Sequence, residues 1–514
     1  MIQSSLPELF SATVRRGPDR IALVAGDTGL TYAEVEQAAT GLAAALRQEG
    51  VTPGTMVGLV LERTERIPVA ILAILKLGAI YVPLDPTYPA ARLRHMVKDA
   101  SIALVVGDRT ALPGEVAEQV RGVDLSSRAA GVDDGATTGA PAREDVAYVI
   151  YTSGSSGLPK GCLVTHGNVL ALLQGAIPLL QVGTDDRWSL FHSAGFDASV
   201  FELWAAWATG ASAVVVPDAA AHSPRDLVRL LRERRVTVLC MVPSVFSQLV
   251  PAHAEEEDTD LGLRYVLFGG EGVQLDVVRA FLGRLTSPPT VVNLYGITEI
   301  TVHATFKELR AADLHGPVAS PIGRELPHLR IVLRDTGDKP VPDGEAGEIW
   351  VHGAGVTAGY LNRPELTAER FRTVAGDPAG DVGYRSGDLA RRLANGELEF
   401  LGRSDQQVKL RGFRVELGEI ESVLRRQEGV REVAVLAEGP APGRRMLLAL
   451  FVPADPAAIP AAAALREAAR RHLPEYMVPH RFEAIAALPL TPSGKLDRKT
   501  LEEAVRRRLS PPAV

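Results

Sequence analysis

Two cysteines in 514 residues, Cys162 and Cys240, are too few and too far apart for a disulfide framework or a zinc cluster. Both sit in apolar surroundings, which points to a reducing compartment. An excess of positive charge is also missing. Lys plus Arg is 55 and Asp plus Glu 62, a net charge of −7, which argues against nonspecific nucleic-acid binding. Small anionic ligands stay compatible with that balance, since one loop can be positive when the whole is not. No apolar run is long enough to span a bilayer: the most apolar stretch, Ile67 to Leu84, is interrupted by Lys76 and Pro83 and reads as a buried helix running into a strand. The N-terminal MIQSSLPELFSATVRRG has no charged head followed by an apolar core, so no signal peptide is read. A cytoplasmic protein without membrane or nucleic-acid partners is expected.

What is present is an ordinary globular composition, 46% hydrophobic and 23% charged, in a chain too long for one core. Apolar, β-branched runs at 56–61, 147–151, 213–217, 236–242, 265–268 and 290–294 end in Gly-, Pro- or Ser-marked loops. Helical patterns such as 227–234 and 277–285 alternate with them. Strands alternating with helices predict α/β layers and largely parallel sheets, with ligands beyond the carboxyl ends of the strands. The acidic run EEEDTD at 255–260 and the arginines 232, 234 and 235 read as solvated surface, and 461–469 as a surface helix. Near residue 400 the character changes. A strand at 397–401 is followed by the charged GRSDQQVKLRGFRVELGEIE, which reads as a linker or hinge. The fold class expected is α/β: a large multi-layer N-terminal domain with βα-type sheets over 1–404, and a small, mobile C-terminal α+β domain over 405–514.

The densest local signal is YTSGSSGLPKG, Tyr151 to Gly161, directly behind the apolar run 146–150. Glycines let a backbone approach a ligand closely, hydroxyls donate, and Lys160 supplies a point charge, the components of a polyphosphate loop. It departs from the Walker pattern, because Gly157 is followed by Leu158-Pro159-Lys160-Gly161. A surface linker has the same composition, so the loop alone leaves both readings open.

Further segments follow in order: LTYAEVEQAA from Leu30, LKLGAIYVPLD from Leu75, FDAS from Phe196, NLYGITE from Asn293, GEIWVHGAGVTAGYL from Gly347, YRSGDL from Tyr384, the GRSDQQ block from Gly402, LPEYMVP from Leu473 and SGKLDR from Ser493. Together they resemble the amino-acid adenylation domains of nonribosomal peptide synthesis, within the acyl-adenylate-forming superfamily. The resemblance covers nearly the whole chain. Departures are small: Ser156 and Ser386 stand where threonine is common, Ile297 for proline and Ser493 for asparagine.

The resemblance implies two steps with ATP and Mg2+. A carboxylate attacks the α-phosphorus of ATP to give an acyl-AMP and pyrophosphate, and a thiol then attacks the acyl-AMP. It implies that Thr152, Ser153, Gly154, Ser155, Ser156, Gly157 and Lys160 cradle phosphates, that Gly270, Glu271 and Tyr295 frame the adenine, that Asn293 and Gly296 also belong to the ATP site, and that Asp388 takes the ribose hydroxyls. Glu299, beside Thr298, is implied as the Mg2+ ligand, Lys495 as the catalytic lysine, Arg403 as a nucleotide contact, and Asp405 as the hinge. After adenylation the small domain is expected to rotate, carrying Lys495 away and presenting the face with Lys409 and Gly412 to the thiol.

Asp197 in FDAS is implied as the carboxylate that meets the substrate ammonium; standing alone it reads equally as a helix cap. The other pocket positions by resemblance are Ala198, Phe201, Cys240, Leu267, Gly269, Leu294, Val302, His303 and Lys495. Most are apolar, so a neutral, mid-sized amino acid is expected, α or β, with His303 either hydrogen-bonding or filling space. The chain ends at RRRLSPPAV, about twenty residues after Lys495. The acceptor expected is therefore a phosphopantetheinylated carrier protein in trans. An acyl-CoA ligase using free coenzyme A and a non-catalytic homologue are the alternatives.

Overall fold

A computed structural model describes residues 3–123, 140–154, 158–255, 260–316, 318, 320–374, 381–405, 407–410, 412–439, 445–489 and 496–509, without the side chains of 499 and 506–509. The expected βα layering is present. One sheet runs, in spatial order, Arg121–Val123, Leu104–Gly107, Met56–Val60, Ile80–Pro83, Val146–Thr152, Lys160–Thr165, and is parallel up to the antiparallel last pair. The second contains the parallel set Thr290–Asn293, Tyr265–Phe268, Val238–Met241, Arg187–Leu190, Ser212–Val215, Ile21–Ala25. Buried residues of helices Tyr32–Gln48, Arg66–Lys76, His166–Ala176 and Ala198–Thr209 join residues of both sheets in one core. Every residue from Pro68 to Leu75 is buried, as a helix between layers requires. Local signals place the helix starts: Thr31 and Thr165 each form a reciprocal cap, with Glu34 and Asn168.

Two expectations need correction. Past Thr290–Asn293 the second sheet is antiparallel: Thr305–Glu308, Pro321–Glu325, Leu398–Arg403, Gly383–Arg392, Ala346–Gly353, Leu329–Arg334. The charged block after residue 402 is largely folded, forming the hairpin Gln407–Leu410/Phe413–Glu416 and the helix Leu417–Arg425. Several of its charges are paired rather than solvated: Arg403 with Asp388 and Asp405, Arg414 with Glu299, and Glu419 with Arg92.

The small C-terminal domain pairs Val430–Glu438 antiparallel and Arg481–Ala484 parallel with Met446–Pro453. Leu417–Arg425 and Ala462–Arg470 contribute to a core on one face, while Leu501 and Val505 pack on the other.

Two histidines of the large domain carry a stability consequence. Burial pushes both His166 and His328 down to about 4, against 6.5 for an ordinary imidazole. An unfolded chain takes up these protons below about pH 6.5 and the folded chain does not until about pH 4, so stability falls as pH drops through that window. About 1–2 kcal/mol per histidine is expected to be lost by pH 5. Urea unfolding at pH 7 and pH 5 checks this, with His166→Gln expected to flatten the slope.

Candidate active site

A cleft of about 2110 Å3 opens beyond the carboxyl ends of the Val146–Thr152, Val238–Met241 and Tyr265–Phe268 strands, closed on its far side by the small domain. The Val146–Thr152 strand runs into Ser153 and Gly154, and Lys160 starts the return strand opposite Thr152. A Cβ on Gly154 would lie 2.0 Å from the Leu158 carbonyl oxygen, so this bend requires glycine. Ser155, Ser156 and Gly157 lie outside the described residues. Lys160 is buried at 6% exposure, donates to the Tyr360 hydroxyl at 3.1 Å, and has Nζ 3.5 Å from Glu299 Oε1.

Glu299 is the centre of this cluster. It sits on the one-turn helix Thr298–Ile300 and is fully buried. Arg414 donates to Oε2 at 2.7 Å and the Tyr360 hydroxyl to Oε1 at 2.7 Å. Burial works to raise its pKa, but Arg414, Lys160 and Tyr360 outweigh it and hold the carboxyl well below the usual range. Burial lowers Lys160, against the pull of Glu299. Two cations around one buried carboxylate leave a positive excess, the field an anionic ligand needs.

Asp388 is likewise fully buried. Its Oδ2 accepts from the Tyr295 hydroxyl at 2.7 Å and its Oδ1 from Arg403. Arg403 also donates from Nε and Nη2 to Asp405, at 2.7 and 2.8 Å, tying the strand of Asp388 to the start of the hairpin. Glu271 bridges the two domains: Oε2 accepts the Ser244 N–H at 3.1 Å and Oε1 the Gly412 N–H at 2.7 Å. Gly412 has φ of 82°, and a Cβ there would lie 2.5 Å from Val242 Cγ1. The same hairpin places Lys409 Nζ 5.4 Å above the Tyr295 ring, and burial lowers the pKa of that lysine. The face carrying Lys409 and Gly412 is thus turned into the cleft, near Gly270. Ser153 Oγ donates to the Arg414 carbonyl at 2.8 Å and the Gly154 N–H to Glu419 at 3.3 Å, so the hairpin covers the phosphate-type loop. Lys495 lies outside the described residues. Its neighbour Leu496 packs against the small domain's own sheet, and Arg498 donates to the Val435 carbonyl at 2.8 Å. The buried Asn293 amide donates to the Pro321 carbonyl at 2.8 Å.

The cleft is also lined by Ala198, Phe201, Cys240, Leu267, Gly269, Leu294, Val302 and His303. Cys240 and Leu267 are parallel-sheet partners, which fixes both as neighbours on one wall. Gly296 also lines it; a Cβ there would meet the Val302 carbonyl oxygen at 2.0 Å. Asp197 precedes the Ala198–Thr209 helix but makes no capping bond. Its Oδ2 is sealed from solvent with no hydrogen-bond partner among the described residues. Burial raises its pKa, partly opposed by the Thr298 side chain. The helix-cap reading of Asp197 therefore falls.

Several residues at the site were not picked out from the sequence. Arg414 and Tyr360 both hold Glu299, and Tyr384 shares a 3.1 Å contact with the Tyr360 hydroxyl. Glu202, the lone charge in the apolar helix ASVFELWAAWAT, is fully buried. It accepts from Phe191 N, His192 N and His192 Nδ1 at 3.1, 3.0 and 2.8 Å, bracing the loop that leads to Asp197. Its isolation in an apolar run was the available signal.

The profile of the AMP-binding enzymes matches residues 10–361, and that of the AMP-binding enzyme C-terminal domain residues 419–495. The chain belongs to the AMP-binding enzyme family. Syringomycin synthase SyrB1 of Pseudomonas syringae pv. syringae is 40% identical over 501 residues, covering 96% of this chain and 81% of that protein. The dimodular nonribosomal peptide synthase of Bacillus subtilis is 41% identical over 510 residues and 96% of this chain, which spans 21% of that synthase's length. Among solved structures, holo-PA1221, an NRPS protein containing adenylation and PCP domains, superimposes with a TM-score of 0.85 at 29% identity, over 98% of this chain and 84% of that one. The o-succinylbenzoate CoA synthetase of Bacillus subtilis shares the fold, with a TM-score of 0.86 at 22% identity over 98% of each chain. This family member is an ATP-dependent adenylating enzyme of the ligase type, related to the adenylation domains of nonribosomal peptide synthesis. Among the described residues, no helix is long and apolar enough to cross a membrane.

Proposed function

We propose that the chain activates a neutral α- or β-amino acid as its aminoacyl-AMP and passes it to the phosphopantetheine thiol of a carrier protein. The observation that carries this reading is Asp197, which lines the cleft and whose buried Oδ2 has no hydrogen-bond partner among the described residues. Such an oxygen is costly to keep unless an ammonium meets it. The adjoining Glu299, Lys160 and Arg414 cluster supplies the positive excess for ATP, whose phosphates lie along Thr152 to Lys160. Asp388 takes the ribose, and Gly270, Glu271, Tyr295 and Gly296 border the adenine.

Glu299 suits Mg2+, which commonly takes one or two protein carboxylates and completes its shell with phosphate and water. In the present docking one Glu299 oxygen is taken by Arg414, so metal and guanidinium are alternative occupants. An ion held there would neutralise phosphate charge. Two placements of the small domain follow, with Asp405 near the pivot and the domain boundary at 404/405. In one, the hairpin withdraws and Lys495 approaches the reacting carboxylate and α-phosphate. In the other, described above, the Lys409–Gly412 face lines the cleft and admits the thiol.

The acceptor is tested by incubating the enzyme with ATP, Mg2+ and labelled neutral amino acids, with either a holo carrier protein supplied separately or coenzyme A. Label is expected on the carrier. Acylation of coenzyme A alone, with an unlabelled carrier, contradicts the proposed acceptor.

A further inference from the structure

We infer that His303 selects an amino acid whose side chain carries a hydroxyl over the matching hydrocarbon. This rests on the adenylation reading above and names the substrate class of the same pocket.

His303 lines the cleft, yet only 7% of it is exposed. Its Nδ1 is sealed from solvent and has no hydrogen-bond partner among the described residues. Phe201, Cys240, Leu267, Leu294 and Val302 line the same cleft, with His192 the charged group that acts on the ring. A buried polar group left unpaired costs free energy that a leucine of similar size avoids, so space-filling alone does not explain an imidazole here. A metal role has no support, since no group of three His, Cys, Asp or Glu among the described residues could hold an ion.

The ring is held in place. Phe201 meets it edge-on, with centroids 4.9 Å apart at 88°. Gly269 makes room for it: a Cβ there would stand 3.2 Å from His303 Cε1. The two residues before it, Thr301 and Val302, have φ of 59° and 66°, a left-handed backbone that non-glycine residues rarely adopt and that stores strain. Thr301 Oγ1 anchors this turn on the Gly355 carbonyl at 2.7 Å. A strained, braced backbone thus holds an imidazole with an unpaired, buried Nδ1 in the wall of the cleft.

Burial, with the charge of His192 adding to it, pushes the His303 pKa down to about 3, so the ring is neutral. A neutral imidazole offers one donor and one acceptor. A hydroxyl matches either tautomer. An ionised side chain needs an opposite charge, and Asp197 is committed to the backbone ammonium. A site built to bond a hydroxyl rejects the analogue without one, because the site's own polar group is then left unpaired.

The test is kcat/KM for ATP–pyrophosphate exchange with hydroxylated and deoxy pairs of α- and β-amino acids, threonine against valine and serine against alanine among them. The wild type is expected to favour the hydroxylated member of its best pair by about 10- to 100-fold. His303→Leu is expected to erase or invert that ratio, and His303→Gln, which keeps a hydrogen-bonding group, to retain part of it. Retained ATP binding shows that the variants fold. A wild-type preference for the deoxy acid, or an unchanged ratio in His303→Leu, overturns this inference while leaving adenylation standing. Exchange with no amino acid at all overturns the underlying reading as well.

Discussion

Asp197→Ala is expected to lower kcat/KM for amino-acid-dependent exchange by about 10²- to 10³-fold, the cost of leaving a buried ammonium without its counter-ion. The Asp197 Oδ2 has no protein partner among the described residues to compensate, and the neighbouring Thr298 is uncharged. Asp197→Asn, which preserves volume, is expected to lose nearly as much, because charge rather than shape is removed. ATP binding should change little, since the Asp388, Tyr295 and Arg403 group is separate from Asp197. Carboxylic acids lacking the amino group should lose far less in the variant than amino acids do. Equal losses for both would show that Asp197 supports the loop and does not pair with the substrate. Steady-state exchange with each acid and its des-amino analogue makes the distinction.

Gly412→Val should separate the two half-reactions. The glycine has φ of 82°, a region costing a β-branched residue roughly 1–2 kcal/mol. The added side chain also collides with Val242, which already lies 2.5 Å from the position of a Cβ. Both penalties apply when the hairpin is docked, together with loss of the Gly412 N–H bond to Glu271. Adenylation with the hairpin withdrawn escapes the collision, so exchange is expected to stay within about threefold of wild type. Aminoacyl transfer to the carrier is expected to fall about 10²-fold, the equivalent of close to 3 kcal/mol. Equal losses in both steps would mean that the hairpin's docking is not specific to thiol transfer.

Much of the site was legible because its residues sit where strands end. The runs before Ser153 and after Val236 are continuous and β-branched, which is how a strand buried on both faces reads, and their loops carry the ligand-facing groups. Apart from the strand expected at 397–401, the antiparallel half of the second sheet escaped the sequence reading for the opposite reason. Its strands contain charges such as Glu348, Arg385 and Asp388, which look solvated in sequence. Partners far along the chain satisfy them: Arg385 Nε meets Glu348 at 3.0 Å and Arg403 meets Asp388. The same holds for the hairpin read as a linker, where Arg414 finds Glu299, 115 positions away. Local sequence carries no record of a partner at that separation. Asp197 shows the complementary difficulty, since an aspartate just before a helix reads as a cap until its side chain is seen to make no capping bond.

The measurement that bears most directly on the proposed activity is amino-acid-dependent ATP–pyrophosphate exchange with Mg2+ across neutral, acidic and basic amino acids, with Lys495→Ala alongside. A signal confined to one or a few neutral acids, lost in the variant and with Mg2+ removed, is the predicted result. Exchange driven only by acidic or basic acids would contradict the reading of the pocket, and silence from every acid, with ATP still bound, would contradict adenylation itself.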